Sequence, residues 1–182
     1  FVGGYSMQEQ PLAAKRLIGY VPDEPFVYEQ LTGREFLHFV GSLFAIPPAE
    51  REAKIEKLLG YFPIIEVVDG YFGSFSRGTK QKLTFLAALM HDPKLLIIDE
   101  PMVGLDPQSA AIVKDLLRQF VADGQKAVFV STHSLDVAQA LCSRLAIINK
   151  GRLVKEGSLN QLQEALHLQT SSLEEIFLKV TA

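Results

Sequence analysis

The sequence predicts an α/β fold: a parallel sheet flanked by helices, interrupted early in the chain by a small helical insert. From Ser76 onward the pattern alternates helix, strand, helix, strand, helix, strand, the order expected when helices wrap a parallel sheet. Leu95 to Ile98, Ala127 to Val130 and Leu145 to Ile148 are continuous apolar runs, as strands buried on both faces should be. Between Thr32 and Tyr71 the pattern is helical and then irregular, which sets that stretch apart from the sheet.

The elements follow in order. Phe1 to Ser6 reads as the tail of a strand and its turn, and the chain opens without an initiator Met, a basic region or a signal-peptide core, so it is expected to be a piece of something longer. Leu17-Ile18-Gly19-Tyr20-Val21 is a short strand closed by the loop Pro22-Asp23-Glu24-Pro25. Thr32 with Glu35 has the spacing of a capping box, and Phe36, Leu37, Phe39, Val40, Leu43 and Phe44 give the helix after it a wide apolar face that ends at Pro47-Pro48. Ala49 to Leu59 is a second helix with mixed charges, and Pro63 and Gly70 break the segment Tyr61 to Tyr71. Phe75-Ser76-Arg77-Gly78-Thr79-Lys80-Gln81 precedes an apolar helix through Met90. Asn149-Lys150-Gly151 reads as a turn into Arg152 to Lys155, and Ser172 with Glu175 repeats the capping-box spacing before a last helix.

Composition narrows the function classes. The 182 residues are close to one ordinary domain, and 48% hydrophobic with 21% charged residues allow a real core, which excludes a disordered or low-complexity chain. The net charge of −3 and the lack of any Lys or Arg run exclude the footprint of a nucleic-acid binder. A single cysteine, Cys142, allows no intrachain disulfide and suits the cytosol. No apolar run approaches the roughly 20 residues that span a bilayer as a helix.

Chemistry concentrates at a few places. Leu95 to Ile98 delivers two adjacent carboxylates, Asp99 and Glu100, to a strand's C-terminal end, where parallel sheets bind their ligands. Asp99 there can hold Mg2+ through hard oxygen ligation, and Glu100 can polarise an attacking water; the plain alternative is a solvated acidic pair. Gly104-Leu105-Asp106-Pro107 is a turn feeding a helix with Asp106 as N-cap. Ser131-Thr132-His133 closes the next strand at the same sheet edge, so His133 can reach a γ-phosphate, or serve a structural role. Ser76 to Thr79 places small residues and backbone N–H groups at a helix N-terminus, a ready anion site that is also an ordinary cap.

Taken together, these residues resemble the nucleotide-binding domain of the ATP-binding-cassette (ABC) ATPases. Phe75-Ser76-Arg77-Gly78-Thr79 resembles the signature motif, Leu95 to Glu100 Walker B, Gly104-Leu105-Asp106 the D-loop, His133 the switch histidine, and Pro22-Asp23-Glu24-Pro25 the Q-loop. The resemblance implies a P-loop NTPase-like core with three parts: residues 1–31 ending the N-terminal core segment, 32–74 as helical subdomain, and 75–182 as the remaining core. It implies ATP and Mg2+ as cofactors, with Glu100 as general base, Asp99 and Asp23 toward the metal, and His133 toward the γ-phosphate. Ser76, Arg77, Gly78, Thr79 and Asp106 fall to nucleotide and dimer contacts. The implied partners are a second nucleotide-binding domain and a transmembrane permease reached through the helical subdomain, at the cytoplasmic face of a membrane, and the look is similar to bacterial ABC-2-like exporter ATPases. The rival readings are an ABC ATPase outside transport and a regulatory module that kept the shape alone.

Three departures qualify the resemblance. Asp23 stands where the family has Gln, and Arg77 and Thr79 stand for Gly and Gln in the signature. No Gly-x-x-x-x-Gly-Lys-Ser/Thr occurs anywhere, although that loop holds the β- and γ-phosphates in this class. The N-terminal part of the core is therefore expected upstream of Phe1, leaving apolar surface uncovered and this chain alone inactive.

Overall fold

The computed structural model describes residues 1–25, 28–166 and 172–181, which divide into two compact units, Phe1–Ser131 and Thr132–Ala182. In the first, Val2 and Tyr5 bridge across Gly3 and Gly4, both at positive φ. A short helix α1 (Pro11–Lys15) leads into β1 (Ile18–Val21), which pairs in parallel with β2 (Leu95–Asp99), itself parallel to β3 (Ala127–Ser131).

The insert between β1 and β2 is helical, as its pattern predicts. α2 (Gly33–Leu43) starts from a complete capping box: Thr32 Oγ1 accepts from Glu35 N at 3.1 Å and Glu35 Oε2 accepts from Thr32 N at 2.8 Å. α3 (Pro48–Leu59) has its proline at the first helical position, where a missing N–H costs nothing. Phe36 packs edge-on against Phe72 at 5.3 Å, in a 3-10 turn (Phe72–Ser74) that leads to α4 (Arg77–Leu89). The insert lies in the same unit as the sheet. α5 (Pro107–Val121) connects β2 to β3.

The sheet is covered on one face. Val21, Leu96 and Ile98 are buried, and α4 comes so close that a Cβ on Gly19 would lie 2.5 Å from the carbonyl oxygen of Ala88. The opposite row, Tyr20, Ile97 and Phe129 in register, leaves Tyr20 57% and Phe129 62% exposed. The expectation of burial on both faces therefore fails for Ala127 to Val130: their apolar character continues while burial alternates.

The second unit corrects the strand count of the parallel sheet. Leu145 to Ile148 belongs to β4 (Leu145–Asn149), which pairs antiparallel with β5 (Arg152–Gly157) in a separate hairpin. The physical reason is the turn: Lys150 and Gly151 both take positive φ, 50° and 75°, the geometry of a tight two-residue hairpin loop. Ile147 is buried with Leu162, Leu173 and Ile176, whereas Ile148 is exposed. The unit is completed by α6 (Leu135–Leu141), capped at its C-terminus by half-buried Cys142, by α7 (Leu159–Ala165) and by α8 (Leu173–Thr181). Ahead of α8, Ser172 Oγ accepts from Glu174 N at 3.2 Å. Among the described residues no helix is long and apolar enough to cross a membrane.

Candidate functional site at the strand ends and the α4 N-terminus

Two groups of predicted residues assemble in the first unit. The first lies at the C-terminal ends of β2 and β3. Asp99 is the last residue of β2, in register with Ser131, whose hydroxyl donates to the Asp99 carboxylate. Side-chain alternation puts both on the open face with Tyr20 and Phe129. At Glu100 the strand stops, because its φ of 52° turns the chain into the left-handed region while its N–H donates to Ser131 O at 2.9 Å. A non-glycine residue held there stores of the order of 1 kcal/mol of strain, and such positions cluster at functional sites. Asp99 and Glu100 thus sit at adjacent positions in different backbone settings, the first bonded to a hydroxyl within the strand and the second at positive φ.

The second group surrounds the start of α4. Ser76 is the N-cap: its Oγ accepts from Thr79 N at 3.2 Å and lies 3.0 Å from Thr79 Oγ1. Gly78 is required sterically, since a Cβ there would meet the carbonyl oxygen of Gly104 at 2.5 Å. Gly104, at φ +77°, lies under the Arg77 stem. Arg77 Nη2 reaches Asp23 Oδ1 at 2.8 Å. Asp106 caps α5: its carboxylate accepts from Ser109 Oγ at 2.7 Å, Ser109 N at 2.8 Å and Lys82 Nζ at 3.0 Å. The Ser109 hydroxyl first, then its backbone N–H and the Lys82 ammonium, hold the Asp106 carboxyl well below the usual carboxylate range.

His133 falls in the second unit, between the end of β3 and Ser134, the cap of α6. Sequence reasoning missed Ser131, Lys82 and Gln81. Ser131 is legible only once β2 and β3 are put in register. Lys82 and Gln81 look like ordinary helix surface, yet Lys82 pairs with Asp106 and Gln81 is 2% exposed, its Nε2 donating to Pro22 O at 3.4 Å.

Among the described residues no group of three or more His, Cys, Asp or Glu side chains is placed to hold a metal by itself. Asp99 and the Ser131 hydroxyl are hard oxygen donors, and this set fits Mg2+, which takes one or two carboxylates and completes its shell with water and phosphate oxygens.

The family profile described as "ABC transporter" matches residues 3–103, more than half of the chain. The chain belongs to the ABC transporter family. A second profile, "AAA domain, putative AbiEii toxin, Type IV TA system", matches residues 69–138. Curated relatives of this ABC transporter chain include the linearmycin resistance ATP-binding protein LnrL of Bacillus subtilis, 34% identical over 97% of the chain and 58% of that protein. The ABC transporter ATP-binding protein NatA of the same organism is 33% identical over 90% of the chain and 67% of that protein. An uncharacterized ABC transporter ATP-binding protein of Nostoc, all4389, is 34% identical, with 88% of the chain matching 50% of its length. The chain thus spans between half and two thirds of the length of these relatives. A solved ATP-binding subunit of an ABC transporter superposes with a TM-score of 0.91 at 30% identity, over 98% of this chain and 74% of that one. The fold is that of ABC ATPase domains. The post-hydrolysis dimer of the cassette MJ0796 with ADP and Pi, at 21% identity and a TM-score of 0.72, shares the fold.

Proposed function

We propose that this chain is part of the ATP-binding and hydrolysing subunit of a membrane transporter. The observation that carries the reading is the pair Asp99 and Glu100 at the end of β2, one carboxylate held by the Ser131 hydroxyl and the next on a residue at positive φ. In this reading Glu100 orients and deprotonates the attacking water, and the anchored Asp99 and Ser131 oxygens hold Mg2+, which supplies charge neutralisation of the phosphates when bound. Asp23 is a second oxygen donor toward that metal. His133 donates toward the γ-phosphate. The α4 N-terminus, with Ser76, Arg77, Gly78 and Thr79, presents backbone N–H groups and a guanidinium to nucleotide held by a second copy of the domain. Asp106, pinned to both α4 and α5, fixes the loop between them at that dimer face.

The helical insert of residues 32–74 is the part that couples this cycle to a transmembrane permease, which places the subunit at the cytoplasmic face of a membrane. ATP joins two domains and hydrolysis releases them. The phosphate loop belongs to sequence outside this chain, so residues 1–182 alone are inactive.

The test is ATP hydrolysis by the full-length gene product with and without Glu100→Gln. The expected outcome is a fall in kcat of at least about 100-fold with ATP binding retained. Micromolar Mg-ATP binding by residues 1–182 alone would overturn the inactivity proposal, and unchanged turnover in Glu100→Gln would overturn the assignment of the base.

A further inference from the structure

We propose that Arg77 is a positioning residue for Asp23, and that their ion pair is a latch joining the loop after β1 to the first turn of α4, opened when phosphate takes the guanidinium or a divalent cation takes the carboxylate. The pair spans 54 positions of sequence and closes at 2.8 Å, with roughly half of each side chain exposed to incoming ligands. Arg77 is aimed rather than loose: its stem lies over Gly104, where an added Cβ would come within 3.2 Å of Arg77 Cγ, so the guanidinium projects from a fixed base.

Among the described residues the other polar link across this seam is long: Gln81 Nε2 donates to Pro22 O at 3.4 Å, and Gln81 Oε1 is buried without a hydrogen-bond partner. A nearly buried amide that is half satisfied does little to fix the loop, because the unpaired acceptor costs stability while the closed seam persists. The ion pair is therefore the contact on which closure turns. Its chemistry is selective for the competitors named: a guanidinium prefers a phosphate that it can bind bidentately, and a carboxylate prefers a divalent cation. The identity of these competitors rests on the nucleotide reading above; the latch itself rests on the geometry.

The experiment is hydrogen exchange of nucleotide-free full-length protein, read in segments 19–25 and 76–81. Arg77→Ala and Asp23→Ala are each expected to speed exchange in both segments by about two- to fivefold, the range of a partly exposed ion pair. The charge swap Asp23→Arg with Arg77→Asp is expected to restore protection to within about twofold of the parent, and Arg77→Lys to lie between. Inorganic phosphate and Mg2+, added separately, should each speed exchange in the parent and leave Arg77→Ala unchanged. Single variants that alter only their own segment, or a swap that restores nothing in a protein of unchanged melting temperature, would overturn the latch. ATP turnover is followed in the same preparations: the exchange pattern without turnover removes the ATPase reading and keeps the latch, whereas turnover without the pattern does the reverse.

Discussion

The two faces of the β1-β2-β3 sheet are built from the same kinds of residue and have opposite fates. On one, Val21, Leu96 and Ile98 are buried, with α4 close against β1 at Gly19; on the other, Tyr20 and Phe129 stand open beside Ile97. Asp99 and Ser131, the chemically equipped ends of β2 and β3, belong to the open side. The difference teaches that apolar content alone does not place a residue in the core: a strand's inner and outer rows are told apart only by what packs against them.

That contrast can be broken by substitution. Ile98→Ala on the sealed face is expected to destabilise the 182-residue chain by about 2–5 kcal/mol, whereas Phe129→Ala on the open face stays within about 0.5 kcal/mol, both read by denaturant unfolding. If a further segment covers the open face in the full-length protein, Phe129→Ala rises there to about 3 kcal/mol, which sharpens the comparison. Next in size is Gly78→Ala, where a Cβ 2.5 Å from Gly104 O forces the α4 start and the 101–104 loop apart. A cost of about 1–3 kcal/mol is expected, with faster exchange at both segments.

The smallest effect concerns His91, at the far end of α4. Its Nε2 lies 3.0 Å from the Ile18 carbonyl oxygen, which can only accept, so Nε2 carries the hydrogen; Nδ1 is a buried acceptor with no partner. The ring stacks on Phe44 at 3.6 Å. Burial pushes its pKa down, with Lys54 adding to the shift and the Ile18 bond and Asp92 opposing it. Between the ordinary histidine value and this lower folded one, the unfolded chain binds the extra proton, so stability is present above that window and declines as pH falls through it. His91→Phe is expected to flatten this part of the pH profile of melting temperature.

Much of the fold was legible. The capping box at Thr32, the caps at Ser76 and Asp106, and strands β1 to β3 follow from local rules that tertiary packing did not override. Leu145 to Ile148 reads as a strand of the parallel sheet because an apolar run looks alike in either setting; the Asn149-Lys150-Gly151 turn carries the antiparallel information, since a two-residue loop cannot make a parallel crossover. Within the site, the residue types at Asp99, Glu100 and the α4 start were readable, and their partners were not. Asp23 and Arg77 are both departures from the family pattern, and no spacing rule pairs residues so distant in sequence. Ser131 and Lys82 are ordinary residues whose contacts exist only after the strands and helices are packed.

Cys142, half-buried at the end of α6, has its thiol pushed up in pKa by burial. Little of it is thiolate near neutral pH, so it reacts slowly with alkylating reagents. It is also the chain's single cysteine. Residues 1–182 therefore offer a quiet background for fluorescent or spin labels, and a cysteine introduced at an exposed position such as Tyr20 or Phe129 would take the label first.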